Sequence, residues 1–444
     1  MDTLALELLE DILYRAYKDS SFQDLSATLR NCSLVSRQWK EIAQSLLFSE
    51  FLLYGRCYNQ IKLHQTLISY PHLRDLVKCI WADIRLFSGM HGLDENAVID
   101  LYRQLAFSPR LQHVVLKQKQ QLVEPRSFKV FSDLVSSSHL TVLSVYEFRQ
   151  FPIDILYQCT SVRELHVCRS NFSGFATDSD GALTADTGLG NNQGGHPSRS
   201  AKRPRLLHLY FEVAYGDDIA LIKWLLHPDC AFDISDLKTF HVLDMSNDLS
   251  SYKLARSLAQ RVSSSLEELA LDPPTRFSNK EYYLAAEYNT FGPLPHLRCL
   301  KLSLQQDEFP SGSLLPWTMQ FLSGLSHPER LEELQLPSIL SDHVPENMNK
   351  DHGWEEFDLF LTASTPSTDK DPNGHRKFLN LNRVRWGSVV LSSDPDDVGP
   401  AIKTAEVLPS LLPRLHELGI LKVSVSNVIG FLEDSNCWYH AGAG

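Results

Sequence analysis

The chain has 444 residues, 43% hydrophobic and 22% charged, a balance that excludes wholesale disorder and a length too great for one ordinary core. Its formal net charge of −12, from 42 Lys and Arg against 54 Asp and Glu, argues against a nucleic-acid partner, which needs a basic face to meet phosphates. No apolar run reaches the roughly 20 residues of a membrane span, and the acidic start MDTLALELLEDIL has the wrong sign for a secretory signal, so a cytoplasmic or nuclear protein without a membrane partner is expected.

The first fifty residues read as helices. From Leu4 to Tyr17, the positions Leu8, Leu9, Ile12, Leu13 and Ala16 repeat at helical spacing. A polar break, KDSSFQD, follows, and Leu25 and Leu29 open a second short pattern. A third runs from about Ser33 to Leu46, with Leu34, Val35, Trp39, Ile42, Ala43 and Leu46 on its apolar side. A unit of this size buries little surface by itself, so it needs something to pack against.

These residues also resemble a known family. Leu4-Ala5-Leu6-Glu7-Leu8-Leu9-Glu10-Asp11-Ile12-Leu13 is similar to the first helix of the F-box, usually L-P-x-E-L-L-x-x-I-L, and Leu29 to Trp39 (LRNCSLVSRQW) is similar to its second half. Ala5 stands where the family usually has Pro, and Tyr14 to Tyr17 depart from its leucine-ended turn. The resemblance implies docking on the Skp-type adaptor of a cullin-RING ubiquitin ligase. Leu4, Leu8, Leu9, Ile12, Leu13, Leu34, Val35 and Trp39 would be the adaptor-binding set.

Beyond Phe51 one pattern returns, an aliphatic or large apolar residue at positions 1, 4 and 6. Copies start at Leu111, Leu140, Val162, Leu206, Leu237, Leu266, Leu297, Leu331, Leu381 and Leu415, with a degenerate one between Leu73 and Ile84. This is the strand signature of a leucine-rich repeat, with helical patterns such as Ile219 to Leu226 between copies. The spacings are 29, 22, 44, 31, 29, 31, 34, 50 and 34 residues, and the two long ones hold polar insertions, 174–205 and 341–378, expected to be disordered loops around a possible helix at Trp354 to Leu361. The expected fold is α/β: a small all-α unit over 1–50, then an irregular leucine-rich-repeat solenoid over 51–444 with a parallel sheet on its concave face. Such repeats resemble those that commonly follow an F-box in fungal proteins.

Motifs for chemistry are missing. There is no G-x-S-x-G, H-E-x-x-H or phosphate-binding glycine loop; Gly188 to Gly195 follows no strand. The eight cysteines form no C-x-x-C pair, as expected of buried free thiols. His64 and His72 lack a third metal ligand at useful spacing, and Asp394, Asp396 and Asp397 read as a solvated turn. The sequence therefore predicts no catalytic residue, cofactor or metal. It points to a substrate receptor whose repeats hold an unknown target protein, with Tyr146, Tyr210 and Trp386 as candidate aromatic anchors, core packing being the alternative reading of their strand positions for at least half of them. The alternative is a leucine-rich interaction scaffold whose N-terminal helices only cap the solenoid.

Overall fold

In the computed structural model the described residues are 28–53, 57–83, 95–118, 125–173, 175–177, 183–185, 203–212, 219–243, 249–271, 291–302, 304–305, 314–340, 353–363, 377–390 and 399–427. The chain divides into two compact units, Met1–Leu206 with Asp229–Asp233, and Leu207–Pro228 with Ile234–Gly444. Residues 28–50 of the expected N-terminal helical unit fall within the first.

In the first unit, helix α1 (Arg37–Leu47) runs into strand β1 (Glu50–Leu53). Helices and strands then alternate as α2 (Cys57–Ser69), β2 (Cys79–Asp83), α3 (Glu95–Ala106), β3 (His113–Lys117), α4 (Pro125–Val135), β4 (Val142–Tyr146) and β5 (Glu164–Cys168). A 3-10 helix, Ile153–Gln158, stands in place of an α-helix between the last two strands. The five strands pair in parallel, in chain order. Parallel neighbours need a crossover, which the helices supply. Helix α3 shows why: Val98, Leu101, Tyr102 and Leu105, at i, i+3, i+4 and i+7, form one fully buried stripe.

The second unit repeats this plan with β6 (His208–Glu212), α5 (Ile219–Leu226), β7 (Thr239–Leu243), α6 (Leu249–Arg261), β8 (Glu268–Leu271) and β9 (Cys299–Leu302). It continues through α7 (Leu314–Ser323), β10 (Glu333–Leu340), α8 (Trp354–Thr362), β11 (Arg383–Val390), α9 (Gly399–Leu411), α10 (Pro413–Glu417) and β12 (Leu421–Asn427). These seven strands also pair in parallel and in chain order. Each unit is thus an α/β array of leucine-rich-repeat type.

The repeat pattern maps onto the strands with a constant offset. In nine copies the strand starts two residues after position 1, and positions 1, 4 and 6 are buried, as in Leu266, Leu269 and Leu271. Position 2 carries a backbone ladder. The Lys238 carbonyl accepts from the Glu267 and Glu268 amides at 2.8 and 2.9 Å, and Glu267 accepts likewise from Arg298 and Cys299 at 2.8 and 3.1 Å. Arg298 then accepts from Glu332 and Glu333 at 2.8 and 3.0 Å. Lys78 and Gln112 play the same part in the first unit. Each turn into a strand is therefore held by its predecessor.

Three expectations change. The tenth copy, Leu415 to Ile420, is no strand: Leu415 lies in α10, Gly419 at φ +70 follows it, and the last strand starts at Leu421. The buried carboxylate of Asp358 in α8 accepts from the Arg414 and Leu415 amides at 2.9 and 3.0 Å, which stabilises the first turn of a helix there. Strand β1 has no repeat motif and was not expected. Within the insertion at 174–205, Phe175–Thr177 pairs antiparallel with Leu183–Ala185. The helix expected near Trp354 is α8.

Candidate binding faces

The helical segment 28–32 and α1 are joined by a turn, so Leu34 and Val35 precede the helix in which they were expected. Ser36 stops the helix from extending backwards: it is extended (φ −156, ψ 170) and its hydroxyl accepts from the Trp39 amide at 3.4 Å. Leu29, Ile42 and Ala43 form a small buried cluster, with Trp39, Cys32, Leu46 and Leu47 packed against it. Leu34 and Val35 lie outside that cluster, 84% and 69% exposed. Two adjacent aliphatic side chains left in water on a turn are an unsatisfied apolar surface. Leu4, Leu8, Leu9, Ile12 and Leu13 lie outside the described residues.

Alternation along each strand sends positions 4 and 6 into the core and positions 3 and 5 to the other face. Two aromatic anchor candidates are buried, Trp386 by this alternation and Tyr146, at position 7 on the outward face, by its neighbour Trp81. Trp386 occupies position 6, is 1% exposed, and packs its ring 5.1 Å from that of Trp354. Tyr146 is 3% exposed beside Trp81, ring centroids 6.5 Å apart, while the Trp81 indole donates to the Glu50 carboxylate. Only Tyr210 is half-exposed, at position 5, with its ring edge-on to His241 at 4.8 Å.

In the second unit the outward face presents two rows across the strands. One is His208, Thr239, Glu268, Cys299, Glu333 and Arg383; the other is Tyr210, His241, Ala270, Lys301, Gln335, Arg385 and Lys422. His241 meets the Glu268 carboxylate at 2.8 Å, and this hydrogen bond holds the Glu268 carboxyl below its ordinary value against the opposing effect of burial. Burial, with Glu268 and Glu333 nearby, pushes the Cys299 thiol up to about 12, so it stays protonated and unreactive at neutral pH. Glu333 receives Arg385 Nε at 2.8 Å, Arg383 Nη1 at 3.3 Å and the Gln335 amide at 2.8 Å.

The turns into the strands form a second polar surface, an open cleft of about 540 Å³ lined by Lys238, Glu267, Arg298, Glu332, His296 and Arg330 among others. Its charges alternate from repeat to repeat: Lys238 pairs with Glu267 at 2.8 Å, and Arg298 holds Glu332 with two contacts of 2.8 Å. This cleft is electrically balanced, and solvent screening weakens such exposed pairs. Among the described residues no group of three or more His, Cys, Asp or Glu is placed to hold a metal ion, and no helix is long and apolar enough to cross a membrane.

No family model and no curated protein matches the chain. Among solved structures, the chain is similar to one in a crystal structure of the Rad7 and Elc1 complex in yeast, at 14% identity, TM-score 0.32, covering 83% of this chain and 87% of that one.

The outward face also carries the basic residues Arg383, Arg385 and Lys422, which the sequence reading did not single out. Their signal lay in the repeat register: Arg383 and Arg385 fall at positions 3 and 5 of the copy starting at Leu381.

Proposed function

We propose that this chain is the target-binding subunit of a cullin-RING-type ubiquitin ligase, docking a Skp-type adaptor through its N-terminal segment and a target protein on the outward face of its repeats. It would do no chemistry itself; holding a target beside the ligase raises the effective concentration for ubiquitin transfer. One observation carries the reading: in the segment that resembles the F-box, Leu34 and Val35 point into solvent while Trp39 and Ile42 are held by the chain's own cluster. A partner that covers Leu34 and Val35 would remove roughly 1.5–3 kcal/mol worth of exposed apolar surface per side chain.

The test is co-purification of the full chain with a Skp-type adaptor. A Leu34→Asp/Val35→Asp double variant should lose at least tenfold in affinity with an unchanged melting temperature, because neither side chain supports the core. Trp39→Ala is the poorer probe, since it disturbs the cluster as well. Absence of adaptor binding by the unaltered chain would sink the proposal.

A second reading has its own support. Helix α1 leads within three residues into β1, Phe48 and Phe51 pack edge-on at 6.0 Å, and the Ser49 carbonyl opens the ladder by accepting from Lys78 and Cys79 at 2.7 and 2.9 Å. That is how a cap closes a repeat array, and it favours a scaffold if the adaptor does not bind.

A further inference from the structure

We propose that Arg383, Arg385 and Lys422 form a docking corner for an extended, carboxylate-rich peptide segment. This rests on the reading of the outward face as the target-binding surface. The corner differs from every other charged cluster described above by its surplus. Two guanidiniums share the single carboxylate of Glu333, while Lys422 has no partner among the described residues. Arg385 donates only Nε to Glu333, which leaves both terminal nitrogens without a protein partner among the described residues. Arg383 likewise uses one nitrogen. All three side chains reach solvent. The chain as a whole carries −12, so this cationic corner stands against its own background.

Geometry narrows the ligand. Arg383 and Arg385 lie two residues apart on one strand, about 6.6 Å, and Lys422 is the register partner of Arg385 on the next strand, about 4.8 Å away. An extended peptide repeats its side chains at that same two-residue interval, so acidic residues at i and i+2 meet Arg383 and Arg385 together. Each guanidinium is pre-oriented by Glu333 and presents a fork suited to a carboxylate. The next row is Pro337, Gly387 and Ser424, and Gly387 without a side chain keeps the approach low.

The experiment is fluorescence anisotropy on the full chain with a labelled peptide of alternating Glu and Ser, a Lys-for-Glu peptide, and a single-stranded oligonucleotide of equal charge. Saturable binding of the acidic peptide alone is expected, weakening as salt rises. Arg385→Ala should weaken it at least tenfold and Lys422→Ala about threefold. Arg385→Lys should retain part of the affinity, Glu333→Gln should tighten it two- to threefold, and Lys238→Ala in the balanced cleft should change nothing. No saturable binding, indifference to Arg385→Ala at an unchanged melting temperature, or tighter binding of the oligonucleotide would each overturn the proposal. Adaptor co-purification on the same preparation separates the two claims: capture of adaptor without peptide binding removes this one alone, and peptide binding without adaptor removes only the ligase reading.

Discussion

Glu268 is a carboxylate on the outward face whose charged form is favoured by the hydrogen bond from His241. Its folded value lies below the ordinary one, so its stabilising contribution is complete above the ordinary carboxylate range and is lost as pH falls through the depressed value. Glu268→Gln should therefore cost about 1 kcal/mol or less at pH 6, given the partial exposure, and in urea titrations the difference from the unaltered chain should shrink as pH falls below the ordinary carboxylate range. A difference that grows on acidification would disprove the assignment. Trp386 lies on the opposite face of the sheet, and its indole nitrogen is buried with no hydrogen-bond partner among the described residues. Trp386→Ala should cost about 3–5 kcal/mol in cavity and lost packing, whereas Trp386→Phe, which sheds an unpaired donor, should cost about 1.5 kcal/mol or less. The repeat register already placed Trp386 at an inward position. As a physical statement that register outweighs the general preference of interfaces for aromatic residues, and Trp386 packs in the core as the register requires.

At the scale of elements, α10 is the instructive case. Leu415, Leu418 and Ile420 satisfy the spacing of a strand, and Pro413 at the first helical position allows either outcome locally. The decision comes from Asp358, far away in the chain, whose buried carboxylate caps the Arg414 and Leu415 amides. Local periodicity carries no record of such a contact, which is why this copy was misplaced while nine others were legible. Asp358→Asn leaves a single acceptor for two donors and should cost about 1–3 kcal/mol. Hydrogen exchange should show it as faster exchange of the Arg414 and Leu415 amides, with β6 to β9 unaffected. The start of α1 was closer to the surface of the sequence: Ser36 is a good N-cap, and reading it would have put Leu34 and Val35 on the turn where they are. Strand β1 carries no motif of its own and takes its place from the register Glu50–Cys79 to Leu53–Ala82.

At the largest scale, within the second unit each strand pairs with its sequence neighbours, and the ladder carbonyls of Lys238, Glu267 and Arg298 serve the following repeat. Burial at positions 1, 4 and 6 makes the core a series of identical layers, so composition and spacing sufficed to foresee the α/β class. The outward rows follow no such rule. Their pairings, His241 with Glu268 and Arg383 with Glu333, join residues in different repeats and become visible only once the register is known. This one-dimensional order has a measurable consequence. Leu300→Ala in β9 should remove about 2–5 kcal/mol of core packing, and the loss should be graded. Amide protection should fall most in β8, β9 and β10, less in β7 and β11, and least in β6 and β12. A uniform loss across all seven strands would instead mean that the second unit unfolds as one cooperative block, with its layers coupled more strongly than the neighbour-to-neighbour ladder provides.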